Sequence, residues 1–201
     1  WCAAETSEAD LVIFDGRSFD SETSYLTDIQ MINKSKQINY NVIKPDDIGD
    51  CLFELSSPCV WNKLYRKSFI EDIGADFQDA PYMNDLAFVT QTMLTAKKIL
   101  FLNEELVYYR RGNKKSISST YNKNRTPSAA IVALNECGRR ISRADASEKC
   151  KKSFCENFYN EIEDEPFFQC SEIIKKDVHK LENSVIFYLN KYLKYSEDNY
   201  A

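Results

Sequence analysis

The chain has 201 residues, of which 43% are hydrophobic and 28% charged, and its formal net charge is -5. This is the composition of an ordinary globular protein, and the acidic total argues against a protein that binds nucleic acid through charge. No window approaches the roughly 18 consecutive apolar residues of a membrane-spanning helix, so we expect no transmembrane segment.

The first part of the chain alternates predicted strands and helices. The apolar run 10–14 predicts a buried strand, and residues 17–44 show no clear period and predict extended structure or loop. A helix is predicted over 45–55, because its first residue is a proline followed by two aspartates. The segment 59–65 leads into a second helix, which we expect to end near Gly74.

The next elements continue this α/β pattern. Asn84 is a typical N-cap residue and predicts a helix over 85–96. Two short apolar runs, 99–102 and 106–109, predict paired strands. Residues 110–125 include six basic residues and no acidic one, which is typical of a mobile positive loop.

The remainder of the chain has a helical pattern. Thr126 followed by proline is a strong helix start, and further helices are predicted over 147–162 and 166–195. Apolar residues of the last helix alternate at spacings of four and three, so this face can pack on the α/β part or pair with a second copy. Packing within the chain is the more economical interpretation. The sequence therefore predicts an α/β part over 1–125 and a helical extension over 126–201.

Trp61, Asn62 and Lys63 are the first residues that could form a site. An aromatic face, an amide and an ammonium within three residues suit a polyhydroxylated ligand. In the alternative interpretation Trp61 is a core residue, Asn62 a cap and Lys63 a surface charge, and composition alone favours that alternative.

Asp85 is the second candidate. A carboxylate at the beginning of a helix, after an irregular loop, can be held rigidly at a cleft as a general base must be. Acidic residues also favour the first helical turn because they complement the helix dipole, and without further information this second explanation has the larger weight.

The third candidate is the basic loop that begins at Arg110 and Arg111. Arginine binds phosphate through paired hydrogen bonds, and a loop containing Gly112 can fold over a ligand, so a nucleoside diphosphate would suit this segment. A solvated basic loop without a ligand is an equally weighted alternative. His179 has no second metal ligand nearby and receives no predicted function.

Taken in order, these residues resemble the second half of a family 2 glycosyltransferase with a GT-A fold, of the bacterial type that builds surface glycans. Residues 60–69 are similar to the recurrent stretch "WNKLYR-SF". Residues 74–77 and 84–88 are similar to the blocks "G--F" and "ED--F", and residues 106–118 to the ending "YYYR…SIS". The resemblance covers roughly residues 9–120.

The resemblance implies a role for each candidate. Asp85 aligns with the carboxylate that removes the proton from the acceptor hydroxyl in inverting members. The side chains implied on the sugar and acceptor side are Trp61, Asn62, Lys63 and Asn84. Those implied on the donor diphosphate are Arg110, Arg111, Ser116 and Ser118. Asn84 stands where the family usually has Glu, so a negative charge next to the base is missing.

The resemblance also implies a metal ion, Mg²⁺ or Mn²⁺, held by an Asp-x-Asp pair. This chain has no such pair, since Asp10 and Asp15 are five residues apart and do not substitute for it. We therefore expect the metal ligands to lie outside this chain. The implied reaction moves a sugar from a nucleotide-sugar donor to a carbohydrate or lipid-linked acceptor in surface polysaccharide synthesis. The chain is expected to be a fragment that lacks the donor and metal half and is inactive alone.

A noncatalytic glycosyltransferase-like scaffold or interaction module is the competing hypothesis. Such a module could form a homo-oligomer through the C-terminal helix. The odd number of cysteines, seven, without a Cys-x-x-Cys pair favours a cytoplasmic location and argues against zinc. The tyrosines and lysines of the tail permit peripheral association with the inner membrane face.

Overall fold

A computed structural model describes the parts of the chain from which the fold is built. The described residues are 1–29, 31–33, 42–80, 83–113, 116, 126–158 and 178–193. Among them, none of the helices is both long and apolar enough to cross a membrane.

One mixed sheet lies at the centre of the described part of the chain. Its central strand β1 (Leu11–Asp20) pairs in parallel with β5 (Ile99–Arg111). The opposite edge of β1 pairs antiparallel with β2 (Leu26–Ile29) and with β4 (Lys63–Tyr65), which meets the first half of β1. Strand β3 (Val42–Ile43) pairs antiparallel with β5. The predicted α/β class, with a mixed sheet flanked by helices, is confirmed.

Helices flank this sheet. In chain order they are α1 (Cys2–Ser7), α2 (Pro45–Ile48) with a 3-10 helix directly after it (Gly49–Glu54), α3 (Lys67–Asp72), α4 (Leu86–Thr95), α5 (Thr126–Arg143), α6 (Glu148–Phe158), a 3-10 turn (Val178–Lys180) and α7 (Asn183–Leu193). The helix starts predicted at the prolines of α2 and α5 are confirmed, as is the end of the helix before Gly74, which has a φ of 57°.

Two predictions about the strands are wrong. Strand β1 continues to Asp20 instead of ending at residue 14. Residues 99–111 form the single strand β5 instead of two paired strands. The polar residues 103–105 look like a turn in the sequence, but they lie where β5 bulges against β1, and the pairing register shifts on both sides of Asp15.

Two predictions about the helices also fail. Asn84 is not the N-cap, since α4 begins at Leu86 and Asp85 occupies the cap position without a capping hydrogen bond from its side chain. The helix predicted over 166–195 is interrupted before Asn183, and its first part lies outside the described residues. The Asn135 side chain binds the backbone at this interruption. It donates to the Lys180 carbonyl at 3.1 Å and accepts from the Glu182 N–H at 2.9 Å.

The two faces of the sheet pack against different partners. Because side chains alternate along a strand, Ile13 and Phe101 enter the main core, whereas Val12 and Leu100 enter a small cluster beside α1. The main core also contains buried side chains from the C-terminal helices, which are Leu134, Cys137, Ile141, Phe154, Cys155, Phe158, Val185 and Leu189. The C-terminal helices therefore pack on the α/β part, while pairing of two copies and a domain division at residue 125 remain predictions.

Candidate functional site

Two of the predicted motifs meet in space at the loop that precedes β4. The loop spans Ser56 to Asn62 and is followed by Lys63, the first residue of β4. Asp85, at the start of α4, lies close enough to Lys63 for their charges to affect each other, and close enough to the backbone N–H of Val60 for that group to lower its pKa. The loop and Asp85 together form the candidate site.

Lys63 is the centre of the loop. Its side chain is buried, and Nζ donates to the carbonyl oxygens of Ser57 at 2.7 Å and Cys59 at 2.8 Å, to Asn62 Oδ1 at 2.7 Å and to Ser56 Oγ at 3.3 Å. Burial lowers the pKa of this lysine to about 8, and the neighbouring groups Cys59 and Asp85 oppose the decrease. At neutral pH the group is still mostly an ammonium ion, and oxygen atoms surround it.

Asn62 fastens the loop to the central strand. It is fully buried, and Nδ2 donates to the Phe14 carbonyl and to Ser56 Oγ, both at 3.2 Å. Its Oδ1 accepts from Lys63 and from Cys59 Sγ. Neither alternative from the sequence, a helix cap for Asn62 and a surface charge for Lys63, holds. Contact of either side chain with a sugar stays a prediction.

Asp85 is a half-buried carboxylate. Burial raises its pKa, whereas the Val60 N–H and the positive charge of Lys63 lower it and only partly offset that effect. Asn84 beside it is exposed, and its carbonyl accepts from the Gln78 N–H at 3.2 Å. Met83 has a φ of 55°, a left-handed backbone conformation that is unfavourable for a residue with a side chain and often occurs at functional sites.

The loop also carries one member of an aromatic pair. Trp61, the neighbour of Val60, stacks on Tyr109 of β5 with ring centroids 5.2 Å apart and an interplanar angle of 12°. Gly16 of β1 makes room for the pair, since a Cβ there would lie 2.8 Å from Val107 and 3.4 Å from the Trp61 ring. Trp61 is half-buried and therefore partly accessible to a ligand.

The predicted phosphate-binding residues follow Tyr109 along β5. Arg110 and Arg111 are both exposed. Because side chains alternate along a strand, Arg111 shares the face of Tyr109 and Arg110 starts from the opposite face. Ser116 is half-buried, and Ser118 lies outside the described residues. Of the two arginines, Arg111 therefore starts on the sheet face that carries the aromatic pair.

The predicted metal does not fit the described part of the chain, which contains no group of three His, Cys, Asp or Glu side chains arranged to hold an ion. Two carboxylates near β1 bind backbone groups instead. Asp10 Oδ2 accepts from the N–H groups of Lys97 and Lys98, and Asp15 Oδ1 accepts from those of residues 31 and 32. The expected Mg²⁺ or Mn²⁺ stays a prediction for a longer protein.

A cavity of about 700 Å³ is separate from this site. It is lined by α1 together with residues 64–67 and 97–98, and it includes none of the predicted site residues. Two of its cationic side chains bind groups within the chain: Lys98 pairs with Glu8 at 2.7 Å, and Arg66 donates to the Ala9 carbonyl.

Sequence reasoning missed the contacts that assemble the site. The Val60 group that lies near Asp85 is a backbone amide, so no side chain marks it in the sequence. Tyr109 lies in the predicted strand 106–109, and its stacking on Trp61 could have been predicted only if the pairing of β1, β4 and β5 had been known.

Comparison with known proteins gives similarity in structure but not in sequence. No protein-family model matches the sequence, and no curated protein matches it significantly. S. aureus TarS 1-349 in complex with UDP-GlcNAc superposes with a TM-score of 0.58 at 14% identity, covering 96% of this chain and 51% of that one. The chain has a glycosyltransferase-like fold.

Other TarS structures show a similar degree of structural likeness to this chain. A longer S. aureus TarS structure has a TM-score of 0.59 at 12% identity, with 98% of this chain and 31% of that one covered. A complex of TarS 1-349 with UDP has a TM-score of 0.54. The chain thus spans about half of TarS 1-349. At these identities the likeness shows the fold, which is GT-A-like as the sequence predicted.

Proposed function

We propose that this chain is the acceptor-side part of an inverting, family 2-like glycosyltransferase. The enzyme would move a sugar from a nucleotide-sugar donor to a carbohydrate or lipid-linked acceptor in surface polysaccharide synthesis. The glycosyltransferase-like fold and its likeness to a protein that binds UDP-GlcNAc and UDP support this proposal.

The environment of Asp85 is the observation that carries the proposal. Its carboxylate is half-buried, lies near the Val60 N–H, and has a pKa raised by burial, which makes it a better proton acceptor near neutral pH than an exposed aspartate. Trp61 follows Val60 in the same loop and is half-buried, so it offers an aromatic face suited to stacking on a sugar.

The proposed reaction is a single displacement. Asp85 accepts the proton of the acceptor hydroxyl. The oxygen of that hydroxyl forms a bond to the anomeric carbon of the donor at the same time. The bond from that carbon to the nucleoside diphosphate breaks on the opposite side, and its electron pair leaves with the diphosphate, so the configuration inverts. The negative charge of the leaving diphosphate is proposed to be stabilised by the residues of the basic loop, which are Arg110, Arg111, Ser116 and Ser118.

A transfer assay with the complete gene product tests the proposal. Wild type and Asp85→Asn are compared for sugar transfer from UDP-GlcNAc and other nucleotide sugars, and donor binding is measured by calorimetry. We expect Asp85→Asn to lose transfer by about 100-fold or more while donor affinity changes little. Asp72→Asn is the matched control, because this exposed carboxylate at the end of α3 lies outside the site and its loss should leave transfer unchanged.

Two outcomes would contradict the proposal. Transfer by Asp85→Asn at the wild-type rate would remove this residue from the role of base. Failure of the complete wild-type protein to bind any nucleotide sugar would favour the noncatalytic module instead.

A further inference from the structure

Lys63 has a feature that the proposed reaction does not use: a buried ammonium enclosed by oxygen atoms of its own loop. Nζ carries three protons and lies within hydrogen-bond distance of four acceptors, which belong to Ser56, Ser57, Cys59 and Asn62. Three of those distances are 2.7–2.8 Å, which is short and typical of charge-assisted bonds.

The same loop presents its backbone to Asp85. Val60 lies between Cys59, whose carbonyl accepts from Lys63, and Asn62, whose side chain also accepts from Lys63. The Val60 N–H in turn lies close enough to the Asp85 carboxylate to lower its pKa. One ammonium group therefore fixes the loop on both sides of the backbone amide nearest the candidate base.

We propose that Lys63 is a positioning residue, whose buried ammonium shapes the 56–62 loop so that the Val60 N–H and one positive charge both face Asp85. This inference rests on the proposed function of Asp85. It assigns Lys63 to the interior of the site, acting through the loop and through charge, instead of to direct contact with a sugar.

The charges around Asp85 support this role. In the described part of the chain, the charges of Lys63, Cys59 and Tyr65 interact with the Asp85 carboxylate. Burial raises the pKa of both the Cys59 thiol and the Tyr65 hydroxyl, so both are neutral at physiological pH. Lys63 is then the positive charge of this group, and it alone of the three stabilises the ionised carboxylate.

Two measurements on the labelled full chain test the proposal without requiring activity. The carboxyl ¹³C resonance of Asp85, assigned with Asp85→Asn, is titrated in wild type and in Lys63→Met, which keeps an unbranched side chain but removes the charge. Hydrogen exchange of the Val60 amide is followed in the same samples. We expect Lys63→Met to raise the pKa of Asp85 and to speed Val60 exchange roughly tenfold, because the loop loses its central hydrogen bonds.

Lys63→Gln is the second variant, for use if Lys63→Met does not fold, since glutamine retains two donors without the charge. It is expected to raise the pKa of Asp85 as well. Lys67→Met is the matched control, because Lys67 is exposed and its ion pair with Glu71 at 3.5 Å lies within α3. It should change neither measurement.

The results separate this inference from the proposed function. An unchanged pKa of Asp85 in a folded Lys63 variant overturns the positioning role, even if the wild-type protein transfers sugar. A raised pKa with faster Val60 exchange supports the positioning role, even if no transfer is found. Where transfer is measured, Lys63→Met is expected to lower kcat with little change in the KM for the donor.

Discussion

Arg140 on α5 and Asp76, which follows α3, form a salt bridge of 2.8 Å that joins the C-terminal helices to the segment leading toward Asp85. Arg140 is buried, and its guanidinium also donates to the Asp76 carbonyl and to Gln91 Oε1 on α4, each at 2.8 Å. The first C-terminal helix is thus bonded to the two elements on either side of the candidate base.

Replacing Arg140 should loosen that segment. In Arg140→Leu the Asp76 carbonyl and the Gln91 amide lose their donors, and we expect the free energy of unfolding to fall by about 1–3 kcal/mol, measured by urea denaturation. Arg139→Leu is the matched control, because Arg139 pairs at the surface with Glu136 and Glu182 and should cost at most about 1 kcal/mol. Equal losses in the two variants would contradict a special role for the buried arginine.

Gly16 is expected to be essential for the aromatic pair. A Cβ at this position would lie 2.8 Å from Val107 Cγ2 and 3.0 Å from the Val107 carbonyl, so in Gly16→Ala the strands must shift and the stack of Trp61 on Tyr109 is disturbed. We expect a loss of about 1–3 kcal/mol in unfolding free energy together with a change in tryptophan fluorescence.

Gly74→Ala is the control for that experiment. Its added Cβ would meet nothing within 4 Å, and the cost comes only from the left-handed backbone, about 1–2 kcal/mol. This variant should therefore lose stability without a change in tryptophan fluorescence. A fluorescence change in Gly74→Ala as large as that in Gly16→Ala would show that general loosening, and not the local clash, is being measured.

Elements with local signals could be predicted from the sequence. The prolines at 45 and 127 and the glycine at 74 act on their own backbone, so they mark the correct helix starts and end. The interruption before α7 could not be predicted, because it depends on Asn135, which lies more than 40 residues earlier in the chain and binds the backbone on both sides of Leu181.

In the candidate site, too, the residue types could be predicted from the sequence, but the contacts between distant residues could not. Asp85 and Lys63 could be selected as chemically suitable residues, but their proximity arises only when β4 pairs with β1 and α4 packs beside the loop. The burial of Asn62 and Lys63 could not be predicted from the sequence, because polar residues are usually exposed and these two are buried with hydrogen bonds to each other and to neighbouring groups of the fold.

Gly138 is expected to set the distance between α5 and α7. A Cβ at this position would lie 2.7 Å from Val185 Cγ2 and 3.2 Å from the Val185 backbone N. The gain in helix propensity from alanine, about 1 kcal/mol, is smaller than the cost of separating two packed helices, about 1–3 kcal/mol. Gly138→Ala should therefore destabilise the chain and make α7 more sensitive to limited proteolysis.

Asn190→Ala provides the comparison for α7, since this exposed position should tolerate alanine. Proteolysis at wild-type rates in Gly138→Ala, with unchanged unfolding free energy, would show that α7 can move away without cost and that the close approach is not required.

The ionisation of Asp85 should make the folded chain less stable at neutral pH than it would be with a neutral side chain. Burial raises the folded-state pKa of this carboxyl above its unfolded value of about 3.9, so the folded state holds the proton more tightly. Stability is then lost as pH rises from the unfolded value through the folded one. We expect Asp85→Asn to have a higher Tm than wild type at pH 7, and this difference to shrink as pH falls toward 4.

Asp46→Asn should show the opposite sign. Hydrogen bonds from Ser147 and Cys150 lower the pKa of Asp46 in the folded state, so its contribution to stability is present above the unfolded value and is lost as pH falls through the folded one. This variant should have a lower Tm than wild type at pH 7, and the difference should disappear in acid. Thermal unfolding of wild type, Asp85→Asn and Asp46→Asn from pH 7 to pH 3.5 checks the direction of both Tm differences.

A lower Tm for Asp85→Asn than for wild type at pH 7 would mean that hydrogen bonding to the ionised carboxylate outweighs the cost of its burial. That result would also weaken the case for Asp85 as a base.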